Sequence, residues 1–442
     1  MANFDVQRFI DTHRWAPVQY GLLVVCLLLL FTDGFDIFMF GKVAPVIARH
    51  YGTTPAGLSM VVVAQQTGLA LGAFVLSPFA DRIGRKRVLE LCALGFGLLT
   101  VLSAYATSIA SFALLRGLAG ALLAPVVPIT LALLSEFTPR QRRTTILAVG
   151  LVGYGLGNAG SAFFTARLLP HYGWTGLFWF CGGVGLACAA LLRLLPESLQ
   201  FMVARDPEDA RIARIMRRID PALPLSGDEH FVLTDKADRR LAPLSELWRE
   251  RRQATAVFWA ASFASMGMIA LFASWMASLF HQMGGVPVER FAAVASFGLL
   301  GGSVGTLLAG GLLDRLRAQP VMIGFYLTQA AAVWALGLTP FASGAFPAAL
   351  FVWSLAQGGG QAALNVSILR SYPVGLRSSG LGWAGGAGRI GGIAVPLLGS
   401  MLLAGSLSLS VAMGLLALGP LLIALLLMLT GRHLAPEADG KA

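Results

Sequence analysis

The sequence predicts an all-α integral membrane protein, with twelve transmembrane helices arranged as two pseudo-symmetric six-helix bundles. Three observations predict it: composition, the spacing of apolar runs, and the distribution of lysine and arginine. Of 442 residues, 56% are hydrophobic and 12% are charged, with a mean hydropathy of +0.72. A soluble domain carries roughly 25% charged residues, so this chain cannot cover its surface with ionic groups, and lipid must wet much of it. A bilayer core of about 30 Å needs roughly 20 apolar residues per helix. Runs of that length fall near 18–40, 56–79, 88–107, 110–134, 144–168 and 174–195, and again near 254–280, 291–313, 320–339, 345–369, 378–404 and 408–430.

The stretch 196–253 differs in kind. It is rich in arginine, from Arg205 through Arg211, Arg214, Arg217 and Arg218 to Arg251 and Arg252, with prolines at 207, 221 and 224. It reads as a cytoplasmic linker with a short basic helix, joining a bundle over 1–195 to a second bundle and short tail over 254–442. The first seventeen residues hold Arg8, Asp11, His13 and Arg14 without an apolar core, so no cleavable signal peptide is expected. Cys26, Cys92, Cys181 and Cys188 all lie in apolar runs and read as small buried hydrophobes, not as a metal or disulfide framework.

The net charge of +11 would suggest a nucleic-acid partner in a soluble protein. Here the basic residues cluster in alternate short loops, at 82–87, 140–143, 315–317 and 370–377 and in the linker, so positive-inside topology explains them and no nucleic acid is expected. The opposite side holds Lys42, Arg49, Arg167 and Arg290. Both termini are therefore expected in the cytoplasm. An internal repeat supports two halves. Asp81-Arg82 recurs as Asp314-Arg315, 233 residues on, and Pro139 with Arg143 recurs as Pro373 with Arg377, 234 residues on. Parallel repeats place a substrate site between halves near the midplane.

Charged groups within lipid-spanning segments cost at least about 2.5–3.5 kcal/mol each, which makes them functional candidates. Asp33 and Asp36 lie in the first span, Arg116 in the fourth and Arg389 in the eleventh. Three residues apart, the two aspartates share a helix face and would titrate as a unit able to carry a proton. The alternative is an aspartate that pairs with an arginine and stabilises packing. Arg116 and Arg389 present guanidinium forks suited to a carboxylate; their alternative is neutralisation of the two aspartates, and both readings can coexist. The turn containing Asp81, Arg82, Gly84 and Arg85 reads as a cytoplasmic latch, completed by Glu136, Arg143, Asp314 and Arg377. Topology alone explains some of its basic residues. Phe35, Phe38, Phe40, Trp275, Tyr326, Trp353 and Trp383 could stack on a ring, although aromatics at helical spacing commonly just pack. His281 reads as interfacial. Neither a metal nor any cofactor is expected, and no nucleophile or phosphate loop suggests an enzyme; the glycine-dense eleventh span lacks a preceding strand and a following Lys-Ser/Thr.

With these motifs in hand, the sequence resembles the major facilitator superfamily over essentially its whole length. Asp81-Arg82-Ile83-Gly84-Arg85-Lys86 matches its loop motif, with a degenerate second copy from Gly310 to Arg317, and Arg116 matches its fourth-span arginine. Within it, Asp33-Gly34-Phe35-Asp36, Leu134-Ser135-Glu136-Phe137-Thr138-Pro139, and the run from Arg377 through Gly382-Trp383 to Gly388-Arg389-Ile390-Gly391 resemble the aromatic acid:proton symporter family. The resemblance implies proton-driven uptake of benzoate-like or hydroxybenzoate-like acids across a bacterial inner membrane, with roles for Asp33, Asp36, Asp81, Arg116 and Arg389. The expected partners are a small aromatic carboxylate, a proton and the lipid bilayer, and a monomer is expected to suffice. Two departures stand out: Ser77 where the loop motif has glycine, and Lys42, a positive charge that could alter substrate choice. Alternatives are a proton-coupled exporter of the same fold and a membrane sensor that does not transport. The fifth span reads Gly153-Tyr154-Gly155-Leu156-Gly157-Asn158, without the Gly-Pro element frequent in exporters.

Overall fold

In a bilayer every backbone amide must be satisfied within the protein, and the α-helix does so within a single segment. The computed structural model is helical over most of the residues it describes, which are 3–13, 15–76, 79–221, 223, 230–232, 244–372 and 377–430. For Asp81 and Arg377 the description stops at the helical backbone, and Arg14, Ser77, Pro373 and Lys441 lie outside the described residues. Nine of the described helices are long and apolar enough to cross a membrane. One of them contains both the fifth and sixth predicted spans, parted where Gly173 leaves the helical conformation (φ 64°, ψ −171°). Arg85–Ser103 and Ala345–Ser371 occupy the third and tenth predicted spans.

One expectation needs correction. The first span, expected near 18–40, continues without a break as Pro17–His50. The reason is compositional: Val43, Ala44, Ile47 and Ala48 prolong the apolar stripe and are buried, so the helix goes on past the point where Lys42 interrupts the hydropathy. Lys42 and Arg49, assigned to an outer loop on sequence, therefore lie on this helix. The all-α fold carries a short addition. Asn3–Asp5 pairs in parallel with His230–Val232, and the Phe4 ring packs 5.9 Å from both Phe9 and Phe231.

The basic linker helix is present as Ala210–Ile219 and is strongly two-faced. Ile212, Ala213, Ile215, Met216 and Ile219 are buried, while Arg211, Arg214, Arg217 and Arg218 are exposed. Asp209 caps it by accepting from the Arg211 amide at 2.8 Å. The Arg211 guanidinium also grips this carboxylate, at 2.6 Å, and its hydrogen bond holds the Asp209 carboxyl below the usual carboxylate range.

The chain packs as two compact units. The first comprises Met1–Asp36, Thr67–Gly157 and Thr175–Asp238, and the second Ile37–Gln66, Asn158–Trp174 and Arg239–Ala442. In the first unit, the second and fourth spans touch backbone to backbone where Gly68 and Gly72 lie against the carbonyls of Gly117 and Ala121. In the second, Phe258, Leu364 and Leu427 belong to a continuous apolar core. Buried hydroxyls there find partners, Thr255 with Tyr372 at 2.8 Å and Tyr326 donating to Ser265 at 3.0 Å.

The two-faced linker helix generates a prediction. Met216→Asp puts a charge on its buried face and should increase the rate of protease cleavage within residues 199–219 of the purified protein several-fold. Arg218→Ala, on the exposed face, should leave that rate unchanged.

Candidate functional site

Asp33 and Asp36 sit one turn apart on Pro17–His50, and both are buried. The glycine between them has a steric reason. Gly34 lies beneath the Tyr154 carbonyl, and Gly157 beneath that of Phe31; a Cβ at either place would overlap backbone. The first and fifth spans thus cross at backbone contact beside the carboxylates.

Arg116 comes from Ile109–Leu123, a helix started by a Ser108/Ser111 capping box. Its side chain has no exposure, and neither has that of Asp36; Arg116 Nη2 donates to Asp36 Oδ2 at 2.6 Å. The guanidinium carbon stands 5.5 Å from the centroid of the Phe178 ring, whose edge packs on Phe112. The other Asp36 oxygen accepts from the Cys181 thiol at 3.9 Å, so one cysteine read as a mere hydrophobe contributes to this network. Arg116 Nε and Nη1 are buried without a hydrogen-bond partner among the described residues. The sequence reading that paired a fourth-span arginine with a first-span aspartate describes this contact; the fork itself is engaged at one nitrogen. With both carboxylates ionised, Asp33, Asp36 and Arg116 together carry one net negative charge, which a single proton cancels.

At the expected latch, Gly84 turns the chain with φ 110°, a conformation that L side chains rarely adopt, and its missing Cβ leaves room for the Glu197 carboxylate. Arg85, buried, forms an ion pair with the buried Glu136. The Ser198 hydroxyl donates to the other Glu136 oxygen and accepts from the Phe201 amide at 3.0 Å. Glu197 accepts from the Lys86 amide at 2.8 Å. The structure thus brings together Gly84, Arg85 and Glu136 of the predicted set. Arg82 and Asp314 are exposed, and Arg143 is half-buried with Nε unpartnered among the described residues. Glu197 and Ser198 were missed on sequence because they follow the sixth span, far in the chain from the loop motif they complete.

Arg389 lies half-buried on Arg377–Ala404. On the same helix, Gly391 contacts the Phe263 carbonyl of the seventh span. The aromatic candidates separate into two groups. Trp275 donates to the Pro396 carbonyl at 2.8 Å, and Tyr326 is tied to Ser265, so both are packing residues. Phe35 packs on Phe180, and Trp383 stacks on Trp259. Phe38 and Trp353, in contrast, line a cavity in the second unit. Lys42 lines it too. Its ammonium is buried and donates to the Phe38 carbonyl at 3.1 Å, to Ser161 Oγ at 2.8 Å and to Asn158 Oδ1 at 3.4 Å. His281 accepts from Arg49 at 2.7 Å through Nε2 and meets the Val286 carbonyl at 2.9 Å through Nδ1. That pairing fits a neutral ring with its proton on Nδ1.

Comparison with known proteins places this geometry in context. The Major Facilitator Superfamily model matches residues 26–396. The chain is 31% identical to a gallate transporter of Pseudomonas putida, across 97% of this chain and 96% of that protein. It is 30% identical to the 4-hydroxybenzoate transporter PcaK of Acinetobacter baylyi, across 94% and 92%. Among solved structures, a D-xylose-proton symporter superposes with a TM-score of 0.73 at 16% identity, covering 96% of this chain and 99% of that one.

The buried ion pair generates a prediction. Asp36→Asn leaves the Arg116 charge without its counter-ion, at a cost of about 3–5 kcal/mol, and should lower the thermal unfolding midpoint of the detergent-purified protein clearly. Combining it with Arg116→Gln should recover part of that loss, because the stranded charge is removed.

Proposed function

The chain belongs to the Major Facilitator Superfamily, and from that premise we propose that it imports a small aromatic carboxylic acid together with protons across a bacterial inner membrane. As a member of that family it is a multi-pass membrane transporter and not an enzyme. The relatives named for gallate and 4-hydroxybenzoate support the substrate class, since both are single-ring acids ionised at neutral pH. The single observation that carries the coupling is the sealed contact of Asp36 with Arg116, next to a second buried carboxylate at Asp33.

The proposed cycle follows from charge. Asp36 is paired with Arg116, and Asp33 takes up and releases the proton in this reading. Protonation from outside neutralises the trio and removes the penalty against sealing it from water. Two six-helix halves, 1–195 and 254–442, then rock about the loaded site, joined by the linker 196–253. The Arg85–Glu136–Ser198 cluster, with Asp81, Arg82, Arg143, Asp314 and Arg377 around it, acts as the cytoplasmic latch that breaks when the inward side opens. Arg116 serves the anion through its effect on the aspartates, and Arg389 meets the substrate carboxylate during transit. A single protomer suffices, and both termini face the cytoplasm. One proton per monoanion makes the step electroneutral.

Uptake of labelled aromatic acids into proteoliposomes, with and without an inward proton gradient, tests this reading. The wild type should accumulate ring carboxylates only with the gradient. Asp33→Asn should abolish accumulation yet retain exchange of labelled for unlabelled substrate, because binding and rocking survive when the proton step does not. Gradient-driven accumulation by both Asp33→Asn and Asp36→Asn would end the coupling assignment. Arg389→Lys should raise the half-saturating concentration of carboxylates by about tenfold, since an ammonium lacks the guanidinium fork.

A further inference from the structure

The cavity that Lys42 lines lies wholly within the second compact unit. Its walls are chiefly apolar and aromatic. Phe38 approaches from the first span, Phe272 from the seventh and Trp353 from the tenth, with the Phe272 and Trp353 rings edge to face at 5.1 Å.

Three polar features converge on that apolar space. The first is the Lys42 ammonium, whose described partners are a backbone carbonyl, a hydroxyl and an amide, all neutral. An amine buried among neutral acceptors must shed its proton or meet an anion, and a ligand carboxylate supplies one. The other two are Trp353 Nε1 and Gln357 Nε2, buried and without a hydrogen-bond partner among the described residues. An unmade hydrogen bond at a buried donor costs about 1–3 kcal/mol, so a ligand oxygen reaching either one recovers that energy. Trp353 can only donate, and an acceptor is what the site asks for.

The two guanidinium groups expected to hold substrate do not supply this charge. Arg116 is committed to Asp36, and Arg389 is not among the residues lining the cavity. We infer that Lys42 is the cation that holds the substrate carboxylate in this cavity, with the ring between Phe38, Phe272 and Trp353. Trp353 and Gln357 donate to an oxygen substituent on the ring. The favoured cargo is therefore a hydroxylated aromatic acid, preferred over the unsubstituted one. This inference rests on the reading of the chain as an aromatic acid importer and adds the anchor and the hydroxyl selectivity to it.

Equilibrium binding of labelled benzoate, 4-hydroxybenzoate and the uncharged benzamide to the detergent-purified full chain tests the assignment. The wild type should bind 4-hydroxybenzoate more tightly than benzoate, and benzamide weakly. Lys42→Met should lower the affinity for both acids by about tenfold or more, the worth of a charged hydrogen bond, and change benzamide binding little. Lys42→Arg should restore part of the loss. Trp353→Phe keeps the ring wall and removes the donor, so the preference for 4-hydroxybenzoate over benzoate should fall towards unity. Should Lys42→Met fail to fold, that preference measured in Trp353→Phe and Gln357→Leu decides the assignment. Unchanged acid affinity in Lys42→Met, an equal loss for benzamide, or an unaltered preference in the tenth-span variants overturns it while leaving aromatic acid import intact. A wild type that binds none of the three compounds overturns the transport reading and the Lys42 assignment together.

Discussion

An ion sealed in a helical bundle needs a counter-ion, a proton or a ligand, and the chemistry of this protein follows from how it meets that requirement. The Asp36–Arg116 contact shows the constraint at its strictest, because neither side chain has any exposure. Separating the two would strand a charge in a medium of low dielectric, where unpaired ions cost several kcal/mol. The pair therefore acts as a fixed element, and whatever changes during transport must change around it. In the proposed cycle the second carboxylate, Asp33, takes the proton. This division of labour comes from the arginine: without it the two aspartates would be equivalent candidates.

The same constraint operates at the latch with a different solution. Glu136 and Arg85 are buried together, but Ser198 and the amide of Gln200 also reach the carboxylate. An ion pair supplemented by neutral donors can lose one partner and keep others, so it is suited to breaking and re-forming. Asp36 is buried too, with Arg116 and the Cys181 thiol among its partners.

Much of this was legible in the sequence, and the boundary between what could and could not be read is physical. Spans, linker and basic helix are encoded locally, by hydropathy over about twenty residues and by the two-faced pattern of Ile212, Ile215, Met216 and Ile219. The importance of Asp33, Asp36 and Arg116 is also local, because a charge in an apolar run announces itself. Which arginine meets which aspartate is a tertiary fact, and both options stayed open until the helices were packed. Glu197 and Ser198 were hidden for the same reason: Ser198 joins Arg85 across 113 positions and Glu136 across 62, and Glu197 meets the Lys86 amide across 111. The parallel pairing of Asn3–Asp5 with His230–Val232 joins segments that look like unrelated polar ends.

Lys42 shows a subtler failure. A hydropathy window ends a helix at a charge, so the lysine looked like the first residue of a loop. The helix does not end there, because Val43, Ala44 and Ile47 continue the buried stripe and the ammonium finds Ser161 and Asn158 within the protein. A lysine retained in such a place costs folding energy that an apolar residue of similar size would not. Retention at that cost is intelligible when the charge is met part of the time by a ligand. Arg116 differs in having an ionic partner, Asp36, although only one of its nitrogens is engaged there. Residue type points to the arginine as the substrate anchor, whereas the proposed anchor is the group that its position in the sequence had set aside.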